Sequence, residues 1–111
     1  MYGAFAYRKT ANPDLGCWDT GSVTDMSYMF RRTRDFNQDI GSWNTSKVQN
    51  MNAMFLGTDG FNQDLNNWDV GNVVNMKEMF KGSKFNREID GWDVGSVDTM
   101  VFMFDESYFN P

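Results

Sequence analysis

Apolar residues return along this chain in fixed columns. Trp18, Trp43, Trp68 and Trp92 are spaced by 25, 25 and 24 residues, and Val23, Val48, Val73 and Val97 keep the same interval. Two methionine columns follow: Met26, Met51, Met76, Met100, then Met29, Met54, Met79, Met103. Phe30, Phe55, Phe80 and Phe104 come next, and then Phe36, Phe61, Phe85 and Phe109, each followed by an Asn. So many columns in register establish a tandem repeat, the feature that decides the reading of a sequence before any local pattern does.

Within one repeat, Val23, Met26, Met29 and Phe30 fall on a ~120° arc at about 100° per residue, the signature of an amphipathic helix. Ser22, Ser46, Asn72 and Ser96 precede that arc as N-caps, Ser46 with Gln49 has the form of a capping box, and Arg31, Arg32 and Lys81 suit the C-terminal end of the dipole. Ile40-x-x-Trp43-x-Thr45, Leu65-x-x-Trp68-x-Val70 and Ile89-x-x-Trp92-x-Val94 have the L-x-x-L-x-L spacing of a leucine-rich repeat. On a short strand, Trp68 and Val70 point inward and Asp69 outward. The pattern therefore predicts an α/β solenoid, leucine-rich-repeat-like, with one short parallel strand and one short helix per coil of about 25 residues.

Phe5 takes the column of Phe30 and Met1 that of Met26, while Asn110-Pro111 stops before the next Asp is due. Residues 1–111 thus read as a single repeat array of about four coils that begins and ends in mid-repeat. Neither end carries the polar capping repeat that stacked repeats normally use for solubility.

Composition narrows the function classes. The chain of 111 residues is 41% hydrophobic and 23% charged, with nine Met, ten Phe and no His. A net charge of −5 argues against nucleic acid, which needs a basic surface. No apolar run approaches the ~20 residues of a membrane span, and no secretion leader is visible. Cys17 stands alone in a column otherwise held by Ser42, Asn67 and Gly91, and with no histidine as base it reads as an incidental thiol.

The stretch Phe61-Asn62-Gln63-Asp64-Leu65-x-x-Trp68-Asp69-Val70-Gly71-x-Val73-x-x-Met76-x-x-Met79-Phe80 resembles the repeat of bacterial surface lipoproteins related to the BspA-like leucine-rich repeats. The resemblance covers nearly the whole chain. Departures are Arg87-Glu88 in place of Gln-Asp, Ala11 in place of Phe, and a last full coil one residue short. It implies a leucine-rich-repeat-like fold, an extracellular or cell-surface setting and an adhesive role, with no catalytic residues to carry over.

Three sets of polar residues are candidates for chemistry. Asp14, Asp39, Asp64 and Glu88 form one acidic column, and Asp19, Asp69 and Asp93, interrupted by Asn44, form another. Such Asp residues commonly cap turns. Stacked in adjacent coils they also present oxygen ligands suited to Ca²⁺, with Asp39 and Asp64 the candidate pair. Arg31, Arg32, Arg34, Lys81 and Lys84 lie in the stretch after the predicted helix, where coils differ most; loops on a rigid scaffold are where recognition tends to lie. Asn44-Thr45-Ser46 is a glycosylation sequon, relevant only in a secreted eukaryotic protein. The Trp, Met and Phe columns read as structural core rather than as a sugar platform or a soft-metal site.

Carboxylates that recur in every coil are architecture, whereas an active site is unique, so no enzyme is expected and no cofactor beyond Ca²⁺. The expected function is a surface scaffold that binds a protein or glycan. The alternative is a structural segment whose copies stack end to end into a filament or surface layer.

Overall fold

In a computed structural model the described residues are 2–7, 12 and 14–110; Met1, Arg8, Lys9, Thr10, Ala11, Pro13 and Pro111 lie outside them. The expected α/β solenoid is not the fold. The described residues contain no helix and no extended strand, only isolated parallel bridges that link Asp25 to Asn50, Asn50 to Asn75 and Asn75 to Thr99. The chain is built from tight turns, and its repeats are joined by hydrogen bonds between turns.

The segment expected to be helical shows how. Met29 N–H donates to Met26 C=O, Arg31 to Tyr28 and Thr33 to Phe30, three overlapping turns of the i to i+3 kind. The alternate donors leave the coil: Met26 N–H reaches Asn50 C=O, Tyr28 reaches Asn52, Phe30 reaches Met54 and Arg32 reaches Leu56. The next coil repeats both sets, with Met51, Ala53, Phe55 and Gly57 donating to Asn75, Lys77, Met79 and Lys81. Every second backbone donor thus goes to the neighbouring coil, so the segment satisfies its polar groups without the i−4 bonds of a helix.

Backbone handedness makes a helix impossible here. Tyr28 and Arg32 have φ of 59° and 56°, Ala53 and Gly57 of 53° and 64°, Glu78 and Gly82 of 56° and 64°. A positive φ at the third residue of a turn is the type II requirement, and a right-handed helix contains none. Glycine meets it freely at Gly57 and Gly82; Tyr28, Arg32, Ala53 and Glu78 hold it against a cost of about 1–2 kcal/mol each. Each of these residues is also a donor to the next coil, which offsets that cost.

The predicted strand fails similarly. Trp68 N–H donates to Leu65 C=O and Val73 N–H to Val70 C=O, so Leu65-x-x-Trp68 and Val70-x-x-Val73 are turns. Ser46, expected as a helix N-cap, instead donates to Asn44 Oδ1. The inward and outward sense of the pattern nevertheless holds: Trp68 and Val70 are buried and Asp69 is exposed.

Packing follows the columns. Met26, Met51, Met76, Met29, Met54, Met79, Phe30, Phe55 and Phe80 are fully buried, and Met103 nearly so. Phe5, Phe30, Phe55, Phe80 and Phe104 form one stack of rings 5.5–5.7 Å apart, and Phe36, Phe61, Phe85 and Phe109 form a second. Trp43, Trp68 and Trp92 are buried, each indole N–H donating at 2.9 Å to the carbonyl of Leu15, Ile40 or Leu65 one coil back. Two residues expected in the core are not there: Trp18 is 43% and Met100 40% exposed, because each lies in an outermost described coil and has a neighbour on one side only. Phe104 is only partly buried for the same reason.

Candidate functional site

The acidic columns sit where the coils turn. Asp14, Asp39 and Asp64 accept through Oδ1 from the backbone N–H two residues on, at Gly16, Gly41 and Asn66. Asp19, Asp69 and Asp93 do the same for Gly21, Gly71 and Gly95, and Asn44 for Ser46. These are Asx turns, in which a side-chain oxygen stands in for a backbone carbonyl. Glu88 departs from its column: it lines an open recess with Asp64, Asn66, Asn86 and Arg87, and at this turn Gly91 N–H, three residues on, donates to Asn66 Oδ1 of the preceding coil.

Asp39 and Asp64 flank a second shallow recess with Gly41, Ser42 and Asn67. Among the described residues no three acidic or thiol side chains converge on one point as a metal site would require. Asn44, the sequon residue, is exposed, and its side-chain oxygen is held by both the N–H and the hydroxyl of Ser46. Cys17 is an exposed free thiol.

Other polar columns, the Asn after each second-stack Phe among them, had no role assigned from the sequence. Asp25, Asn50 and Asn75 cap a third set of turns, at Ser27, Asn52 and Lys77, beside the parallel bridges. Asn12, Asn37, Asn62 and Asn86 form a ladder in which each Oδ1 accepts the N–H of the next coil's Asn at 2.7–3.0 Å. Thr33 and Thr58 are buried and donate to the carbonyls of Phe5 and Phe30 one coil back. Recurrence at the repeat interval was the available signal for all of these.

The edge that carries the two left-handed positions of each coil is different in kind. Its backbone repeats but its side chains do not. One column runs Tyr28, Ala53, Glu78, Phe102; the next runs Arg31, Leu56, Lys81, Asp105; a third runs Arg32, Gly57, Gly82, Glu106. Lys81 lies 3.7 Å from Glu78 and 3.9 Å from Asp105, and its ammonium stands over the Phe102 ring. Arg34 reaches Asp59 only at 4.0 Å, a solvent-exposed pair of small energetic weight. Lys84 is exposed. Arg31 lies over the rings of Tyr7 and Tyr28, and Arg32 over Tyr7. The tyrosines do not recur down their columns, where Tyr7 stands with Arg32 and Tyr28 with Ala53, which is why the periodic pattern did not expose this cluster.

The geometry defines a turn-built repeat protein whose Met and Phe columns are constant in the interior and whose left-handed turn edge is chemically variable. Over residues 1–110 the chain matches the family described as "Mycoplasma protein of unknown function, DUF285", and it belongs to that family. No curated protein and no solved structure matches it.

Proposed function

We propose that this chain is a non-catalytic display scaffold, working at a cell surface, whose variable turn edge binds another macromolecule. One observation carries the reading. On a backbone whose hydrogen bonds repeat coil after coil, the edge changes from Tyr28-Arg31-Arg32 to Ala53-Leu56-Gly57 to Glu78-Lys81-Gly82. Interior columns meanwhile stay Met, Met and Phe. A frame whose interior columns hold while a partly exposed turn edge varies is the arrangement by which scaffolds separate folding from recognition. The repeat's resemblance to bacterial surface lipoprotein repeats of the BspA-like kind supports the surface setting. The polar columns support the absence of catalysis, since those in the Asx turns are spent on capping backbone groups.

The test is capture by purified chain of whole-cell surface extracts, compared with a variant in which Arg31, Lys81 and Asp105 are all Ser. Retained capture by the variant, at matched stability, would remove the edge from the binding surface.

End-to-end assembly is the second reading. Phe102, Phe104 and Glu106 occupy the positions that in earlier coils donate to the following coil, and their N–H groups make no such bond among the described residues. Met100, Val101 and Phe102 are exposed beside them. A further coil fits both features, whether continued in the same chain or supplied by a second copy; in the second case heterologous contacts that do not close give linear assemblies. Light scattering across a concentration series decides it: growth of scattering mass supports stacking, and a constant monomer mass rejects it.

A further inference from the structure

We infer that the corner formed by Tyr2, Tyr7, Tyr28, Arg31, Arg32 and Asn52 is a docking site for an acidic peptide segment of a partner protein. The inference rests on the display reading above and names the ligand of one part of that edge.

The guanidinium of Arg31 lies 5.1 Å from the Tyr7 ring centroid and 5.5 Å from that of Tyr28, and Arg32 lies 5.9 Å from Tyr7. Neither arginine makes an ion pair among the described residues. Two positive charges are therefore gathered with no carboxylate within 4.0 Å among the described residues, on a chain whose net charge is −5. Rings above and beside a guanidinium fix its plane and leave its in-plane N–H fork for a ligand; a fork held this way matches a carboxylate bidentately.

A second observation points the same way. Among the described residues, the buried side-chain polar atoms that lack a hydrogen-bond partner are Arg31 Nε and Asn52 Oδ1. Both belong to residues in contact with Tyr28: Arg31 covers its ring, and Asn52 Nδ2 donates to its hydroxyl at 2.9 Å. One unmatched donor and one unmatched acceptor thus belong to two residues in contact with a single tyrosine. Buried polar groups are normally satisfied, so such a pair calls for an explanation. An acidic residue in a peptide brings the complementary pair, a carboxylate acceptor and a backbone N–H donor. Tyr2 and Tyr7 line the same recess as Tyr28 and Arg31, and their 67% and 57% exposure leaves these rings free to move aside for a ligand.

Peptide is favoured over glycan because the ring faces are already taken. Arg31 covers Tyr7 and Tyr28, and Tyr2 meets Tyr28 edge-on at an interplanar angle of 62°. Tyrosine and arginine together are the composition typical of protein-binding hot spots.

The experiment is fluorescence anisotropy of a labelled Gly-Glu-Glu-Glu-Gly peptide titrated with the full chain at low salt. Poly-galacturonate serves as a competitor, and thermal melts confirm that each variant is folded. Arg31→Gln is expected to weaken binding at least tenfold. Arg31→Lys should fail to restore it, because an ammonium lacks the planar fork. Lys84→Gln, an exposed cation on another coil, should leave it within twofold. Equal loss in Arg31→Gln and Lys84→Gln would reduce the binding to general charge attraction and overturn the site. Competition by poly-galacturonate at lower uronate than glutamate concentration would transfer the site to acidic glycans. No binding of the peptide by the wild-type chain overturns this ligand class and leaves the edge-display reading to its own capture test.

Discussion

The indole N–H of Trp68 donates to the carbonyl of Ile40, 28 residues earlier, at 2.9 Å, inside a core from which water is excluded. The same bond joins Trp43 to Leu15 and Trp92 to Leu65, so each buried tryptophan fastens its coil to the one before. A large apolar ring packs, and its single polar atom lands on a carbonyl whose own coil leaves a lone pair free. Trp68→Phe should cost about 1–3 kcal/mol, from a lost buried hydrogen bond and lost ring volume. Trp18→Phe, at the exposed end of the column, should cost under about 0.5 kcal/mol. Urea denaturation of the two variants checks this, and equal costs would refute the role given to the indole.

Thr58 shows that position in a variable stretch does not mean exposure. Read from the sequence, Thr58→Ala is a harmless loop change. In the structure Thr58 is fully buried and its hydroxyl donates to Phe30 C=O at 2.6 Å, so the substitution should cost about 1–2 kcal/mol. A midpoint unchanged in denaturant would return Thr58 to the surface. Met54→Ala, in the middle of the core, should cost ~2–5 kcal/mol.

Left-handed turn positions give opposite expectations for glycine. Gly57 has a φ of 64°, and a β-carbon there would meet Arg32 Cγ at 3.3 Å, so Gly57→Ala should destabilise by about 1 kcal/mol or more. Arg32 occupies the equivalent turn position at φ 56°, and Arg32→Gly should be neutral or stabilising by up to ~1 kcal/mol. Thermal melts that lower both variants alike would mean that the turns are not left-handed.

Asparagine does the work of aspartate in two capping columns: Asn44, Asn50 and Asn75 accept from the backbone as Asp39 and Asp64 do. Asp39→Asn with Asp64→Asn should therefore melt within a few degrees of the parent, whereas the double Ala variant should lose about 1 kcal/mol per cap, as other lost side-chain caps do. As turn caps, these carboxylates predict the same melting temperature with Ca²⁺ and with chelator. A Ca²⁺-dependent rise in the parent that vanishes in the double Asn variant would make them ligands instead.

The repeat, its interval and the buried columns were legible because burial imposes periodicity whatever the backbone does. Met26, Met29 and Phe30 face inward from a helix and from a run of overlapping turns alike, so the arc did not reveal which backbone carries them. What separates the two is the sign of φ at Tyr28 and Arg32, and their side chains, unlike glycine, carry no mark of it. Gly57 and Gly82 did carry that mark, at the equivalent place in the next coils. In the same way, the Asx columns were legible as turn caps, whereas the pairing of Tyr28 with Arg31 was not, because neither residue type recurs down its column.

The central claim is that each coil is a chain of turns bonded to its neighbour, and backbone NMR of Met51 to Gly57 tests it most directly. The account predicts positive φ from coupling constants and chemical shifts at Ala53 and Gly57, and a through-bond hydrogen-bond coupling from Phe55 N–H to Met79 C=O. Uniform helical shifts across these residues, with Phe55 N–H bonded to Met51 C=O, would contradict it.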